Sequence, residues 1–79
     1  MKNNISKITK DIFSYNEFVN DIESKYGHLD IWLDLEILNA LALDEWEISG
    51  KPVVWKEWCK YQAKAERLVI DFFLLIDNK

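Results

Sequence analysis

The 79-residue chain contains one cysteine, Cys59, two glycines and one proline. A single cysteine excludes an intramolecular disulfide and a zinc site built from thiolates. Since small secreted domains usually depend on several disulfides, this scarcity predicts a reducing, cytoplasmic location. The apolar run from Val69 to Ile76 is interrupted by Asp71 and is far shorter than the roughly 20 residues that span a bilayer. We therefore expect no signal peptide and no membrane contact.

Lysine and arginine are absent from the central stretch 27–50, although the whole chain carries 10 Lys and Arg against 14 Asp and Glu. The flanking segments are neutral or slightly basic, so the net charge of −4 originates in this stretch. Such a block would repel a phosphate backbone, and direct binding to nucleic acid is not expected. The six carboxylates of the stretch are Asp30, Asp34, Glu36, Asp44, Glu45 and Glu47.

The chain is rich in apolar residues: 49% are hydrophobic and 14% are aromatic. A chain this short buries only about 60% of its unfolded surface, so a rich core is needed for independent folding. The sequence therefore predicts a single folded domain over residues 1–79.

Helical spacing is visible in the first third of the chain. Three isoleucines within 5–12 predict a short opening helix. The segment Ser14–Glu17 matches a capping box, in which a hydroxyl caps a helix and a carboxylate follows three residues later. We predict a second helix from about Tyr15 to Tyr26, with Gly27 at the position that follows a helix C-terminus.

The last third gives the clearest pattern. After Pro52, apolar residues recur at helical spacing from Trp55 to Ile76, for about six turns. The opposite face carries lysines one turn apart, which need an acidic neighbour, and the central acidic stretch is the candidate. Short turns between such helices predict an all-α fold, a small antiparallel helical bundle of two to three main helices. These lysines are Lys56, Lys60 and Lys64.

The middle of the chain permits two interpretations. Apolar residues alternate strictly over Leu29–Ile37, which is typical of a strand. The abundance of Leu, Ala, Asp and Glu, with Asp30 placed to cap a helix start, favours a helix from about Asp30 to Trp46. The alternative is an α+β fold with a short central strand over Leu29–Ile37, accompanied by a hairpin of Trp46–Ser49 and Val53–Trp55.

No residue pattern predicts catalysis. His28 and Cys59 could form a nucleophilic pair, but a turn histidine and a mid-helix cysteine are more simply structural. The carboxylates lack the glycine-containing loop of a calcium site and the Glu-x-x-His pairs of a di-metal bundle, so a solvated acidic face is expected and no metal. Phosphate-binding loops, nucleophile elbows and dinucleotide fingerprints are missing, and we expect neither an enzyme nor a cofactor.

Trp32 and Trp46 lie within the acidic stretch, where their side chains can be exposed to solvent. Exposed tryptophan flanked by carboxylates is a common composition of binding hot spots. We expect a small acidic inhibitor that occupies a basic, nucleic-acid-binding surface of a protein partner, as a nucleic-acid mimic would. Anti-defence proteins of phages and mobile elements, immunity proteins and antitoxins are class-level analogies. The expected partner-binding residues are Asp30, Trp32, Asp34, Glu36, Asp44, Glu45, Trp46 and Glu47.

The alternative function is a helical homodimeric assembly module or an accessory subunit of a larger complex. Five consecutive apolar residues near the C-terminus surround a helix on all sides, which is more than one small core can cover. The expected self-association residues are Phe72, Phe73, Leu74, Leu75 and Ile76.

Overall fold

The computed structural model describes residues 3–77, which form α-helices and no strand. The all-α bundle prediction is confirmed, and the alternative with a central strand or hairpin is wrong. No helix in the described range is long and apolar enough to cross a membrane. The elements are α1 (Asn3–Ile8), α2 (Ile12–Tyr26), α3 (Asp30–Ile48), a 3-10 turn (Lys56–Trp58) and α4 (Cys59–Asp77).

The start of α2 differs from the prediction. Asp11 is the N-cap, and its carboxylate accepts a hydrogen bond from the backbone N–H of Ser14 at 2.8 Å. Ser14 therefore lies inside the first turn, and the predicted capping box is wrong because an aspartate three residues earlier already satisfies the same helix terminus. The helix ends at Tyr26, as predicted.

Gly27 leaves α2 with right-handed backbone, at φ −62°, and donates its N–H to the Glu23 carbonyl at 2.8 Å. A Cβ atom at this position would lie 2.5 Å from that carbonyl oxygen. Glycine is therefore needed here for close approach of the backbone and not for a left-handed conformation.

The ambiguous middle of the chain is α3, which runs from Asp30 to Ile48. Its N-cap is Leu29, and no side chain makes a capping hydrogen bond, so Asp30 is the first helical residue and not a cap. After α3 the chain reverses through left-handed backbone at Gly50 (φ 97°) and Lys51 (φ 56°), and the Lys51 N–H donates to the Trp46 carbonyl at 3.0 Å.

The core lies where α2, α3 and α4 meet, with α3 packed against both other helices. Two buried hydrogen bonds join the layers: the Tyr15 hydroxyl donates to the Leu35 carbonyl at 2.8 Å, and the Trp58 indole N–H donates to the Thr9 carbonyl at 2.9 Å. The buried apolar residues are Ile12, Tyr15, Val19, Leu35, Leu38, Ala42, Trp55, Trp58, Ala65, Val69 and Phe72.

Candidate protein-binding surface

The helix α3 is apolar on two opposite faces. Leu35, Leu38 and Ala42 point into the core. On the far side, four large aliphatic residues share one face and remain exposed, which is unusual because they are not scattered singly. Three of them are one turn apart, and the fourth lies two turns further along, beyond Asp44. We call this line the α3 outer stripe: Leu33 (52% exposed), Ile37 (51%), Leu41 (58%) and Ile48 (79%).

Exposed carboxylates share this face. At about 100° of rotation per residue, Asp30, Asp34 and Asp44 all lie within roughly 60° of the centre of the stripe, and Glu47 lies at its edge. All four side chains are exposed. Since α3 contains no Lys, Arg or His, its outer face combines aliphatic surface with negative charge alone.

Glu45 is turned toward α4 and is engaged within the chain. Its carboxylate accepts hydrogen bonds from the Lys60 ammonium at 2.7 Å and from the Tyr61 hydroxyl. These bonds, with Lys60 the larger contributor, hold the pKa of Glu45 below its ordinary value and raise the pKa of Lys60. The acidic neighbour predicted for the lysines of α4 is therefore present for Lys60, which also contacts Glu57 at 3.1 Å.

Glu36 is half-buried and close enough to Tyr15 to contribute, after burial, to the raised pKa of that phenol. It lies on the side of α3 that faces α2, roughly 100° from the centre of the outer stripe. The six carboxylates are thus divided, with four on or beside the outer face and Glu36 and Glu45 at its two flanks.

The two tryptophans of the acidic stretch are half-buried and support the fold. The Trp32 indole N–H donates to the Val19 carbonyl at 3.0 Å, which ties α3 to α2. The Trp46 indole N–H donates to the Pro52 carbonyl at 2.9 Å, and its ring meets Phe13 edge-on at 5.4 Å. The aliphatic residues of the outer stripe offer more free surface than either indole.

A groove of about 310 Å³ continues the outer stripe toward α4. Ile37 and Leu41 form one wall, Leu68 lies on the α4 side, and Asp34 and Lys64 border it. The surface next to the stripe is therefore concave and largely aliphatic, a shape that an inserted side chain of a partner can fill.

The five apolar residues near the C-terminus have different environments. Phe72 is 1% exposed and packs against the rings of Phe18 and Tyr26 at 5.8 and 5.1 Å. Phe73 and Ile76 are half-buried against the core. Of the five, only Leu74 (58%) and Leu75 (43%) are exposed enough to contact a second molecule.

His28 and Cys59 do not meet. Cys59 is the first residue of α4, whereas His28 lies beside Ile76 near the other end of that helix. Seventeen helical residues separate these ends, about 25 Å at 1.5 Å per residue. Within residues 3–77 no cluster of His, Cys, Asp and Glu has the arrangement of a metal site.

Sequence reasoning missed the outer stripe and the exposed Val53 (86%) and Val54 (79%) of the connection to α4. The strict alternation over Leu29–Ile37 was the available signal. It marks a helix with apolar residues on two faces, and not a strand. No family model, curated protein or solved structure matches this chain.

Proposed function

We propose that this protein is a small inhibitor that uses the outer face of α3 to occupy a basic, nucleic-acid-binding surface of a target protein. The observation that carries the proposal is the coincidence, on one exposed helix face, of the α3 outer stripe with Asp30, Asp34 and Asp44, in a helix without a single cation. An acidic face alone would be explained by solubility. An acidic face built around four exposed aliphatic side chains is better explained by a partner.

The two components have different physical roles. The carboxylates attract a basic surface over distance and raise the association rate, an effect that salt suppresses. The aliphatic side chains supply the short-range energy, since about half of each of Ile37 and Leu41 is still exposed and burying that half is worth roughly 1 kcal/mol per residue. Lysines and arginines that normally hold phosphates would meet the carboxylates instead.

An inhibitor must be in the same compartment as its target. A chain with one free cysteine is suited to the reducing cytoplasm. By class-level analogy, the proposal places the chain among anti-defence proteins of phages or mobile elements, or among immunity proteins and antitoxins. No catalytic step is part of this function.

The test is affinity capture from the native host at low salt and at about 0.5 M salt, with three forms of the protein. The first is the wild type, and the second carries Asp30→Asn, Asp34→Asn and Asp44→Asn. The matched control neutralises three exposed carboxylates of α2, with Glu17→Gln, Asp21→Asn and Glu23→Gln.

The proposal is supported if the wild type and the α2 control capture a nucleic-acid-binding protein at low salt and the α3 variant does not. The purified wild type must also inhibit nucleic-acid binding by the captured protein. Equal capture by the α3 variant, or a captured protein that still binds its nucleic acid in the presence of excess wild type, would contradict the proposal.

The second candidate function is the homodimeric assembly module or accessory subunit. A specific observation favours it, because Leu74 and Leu75 stay exposed on α4. The two functions use different surfaces and are compatible in one molecule.

A further inference from the structure

The outward face of α4 carries a second line of residues at a regular spacing. Ala63, Arg67, Ile70 and Leu74 are separated by four, three and four residues, and all four are exposed, Ile70 at 41% and Leu74 at 58%. At about 100° per residue they lie almost opposite the core residues of α4. We call this line the α4 seam.

A spacing of four, three and four residues is the spacing of the contact positions in a coiled coil. Two copies of α4 that pack antiparallel about a two-fold axis would bring Leu74 opposite Ala63 of the second copy, and Arg67 opposite Ile70. A large side chain then faces a small one. The aliphatic part of Arg67 can cover Ile70 while its guanidinium group stays in water.

Charge on the border of the seam selects a second copy of this chain as the occupant. Lys64 and Asp71 are exposed and lie along the same edge of the seam, seven residues apart. In the antiparallel arrangement Lys64 of each copy comes beside Asp71 of the other, so the contact contains two complementary pairs. A parallel arrangement would instead bring the two different edges of the seam together and place Asp71 beside Glu66 of the other copy, two like charges.

We propose that the chain forms a weak, two-fold symmetric homodimer through antiparallel packing of the α4 seams. This inference rests on the assembly function, and the seam it uses contains no residue of the α3 outer stripe. The seam is about 16 Å long from residue 63 to 74, and one such helix pair buries less than the 1,200–2,000 Å² of a standard interface. We therefore expect a weak dimer whose population depends on protein concentration.

The seam contains no residue of α3, although Lys64 on its border also borders the groove beside the α3 outer stripe. The dimer would present two acidic faces related by the two-fold axis. A target with two basic sites, or a symmetric target, would then be held at both sites, and the effective affinity would exceed that of one face.

The test is sedimentation equilibrium of the purified protein from about 5 to 500 µM. Leu74→Glu should raise the dissociation constant at least tenfold, because it puts a charge into the seam. Lys64→Asp and Asp71→Lys should each raise it roughly 5- to 30-fold, and the double exchange should restore it to near the wild-type value, since the pairs are recreated with reversed sign. Ile48→Glu, on the α3 outer stripe but outside the groove that Lys64 borders, is the control and should leave it unchanged.

All substituted side chains are exposed, so helical content and the thermal midpoint verify that each variant is folded. A protein that is monomeric at 500 µM overturns the proposal. So does a dimer that is insensitive to Leu74→Glu, a double exchange without rescue, or a dimer that is lost in Ile48→Glu, which would place the second copy on α3. A monomer that still captures a basic partner leaves the inhibitor function standing, so the two failures are distinguishable.

Discussion

Removal of one buried hydroxyl, by Tyr15→Phe, should change both the stability of the protein and its pH dependence. Tyr15 is fully buried, and its hydroxyl donates to the Leu35 carbonyl at 2.8 Å. The substitution removes this bond between α2 and α3 and keeps the ring in place. Loss of a buried hydrogen bond should lower the free energy of unfolding by about 1–2 kcal/mol at neutral pH.

The same hydroxyl makes the wild type sensitive to alkali. Burial first, and then the negative charge of Glu36, raise the pKa of Tyr15 well above its ordinary value of 10.0. A pKa raised by folding gives a stability contribution that is complete below the unfolded pKa and is lost as the pH rises through the folded pKa. At pH 11 about nine-tenths of the unfolded tyrosine is ionised, and about 1.4 kcal/mol of the wild-type stability is lost at this residue. Tyr15→Phe loses none of it.

The two proteins should therefore differ by about 1–2 kcal/mol at pH 7 and by almost nothing at pH 11. Urea unfolding followed by tryptophan fluorescence measures both values. Ile12→Val is the control, since it alters a side chain that is 1% exposed, costs about 0.5–1.5 kcal/mol and has no proton to lose, so its difference from wild type should not change with pH. A Tyr15→Phe difference that is equally constant from pH 7 to 11 would refute the reasoning.

Three further outcomes are expected. Phe72→Ala should cost about 3–5 kcal/mol in urea unfolding, whereas Leu74→Ala, at 58% exposure, should change stability little; equal effects would remove Phe72 from the core. Glu45→Gln should lower the thermal midpoint at low salt and pH 7. Because the pKa of Glu45 is lowered in the folded protein, the difference should shrink as the pH falls from the ordinary carboxyl pKa through the lowered one. A midpoint unaffected at pH 7 would contradict this. Gly50→Ala should cost about 1–2 kcal/mol through its left-handed backbone at φ 97°, although nothing lies within 4 Å of the added methyl, and a neutral effect would show that the turn relaxes.

The helices were predictable wherever one face of the pattern was clearly apolar. The stripe from Trp55 to Ile76 predicted α4, although the α-helix begins only at Cys59, after extended backbone at Trp55 and a 3-10 turn over Lys56–Trp58. Trp55 and Trp58 are nevertheless buried in the core. The start of α2 was misplaced, because Asp11 and Ser14 are both good caps and the sequence does not rank them. The fold uses Asp11 as the cap, because a helix that begins at Ile12 buries Ile12 and Tyr15 on the same side.

The candidate surface was only partly predictable. The absence of cations from the central stretch identified the acidic face, and Asp30, Asp34 and Asp44 share it. The tryptophans could not be placed, because their orientation depends on backbone carbonyls that only the fold brings near: Val19 for Trp32 and Pro52 for Trp46. A carbonyl acceptor has no signature in sequence.

The carboxylates of α3 also decide what its outer stripe does not bind. Two copies of α3 packed antiparallel would set Asp30 and Asp34 of one against Asp44 and Glu47 of the other, and four negative charges would converge on each end of the contact. Exposed leucine and isoleucine in a line would otherwise invite self-association. Under the proposed function, the same charges would favour a partner that carries lysines and arginines at the edges of an apolar strip. Under that function, the groups that would select the partner therefore also oppose self-association through the outer face of α3.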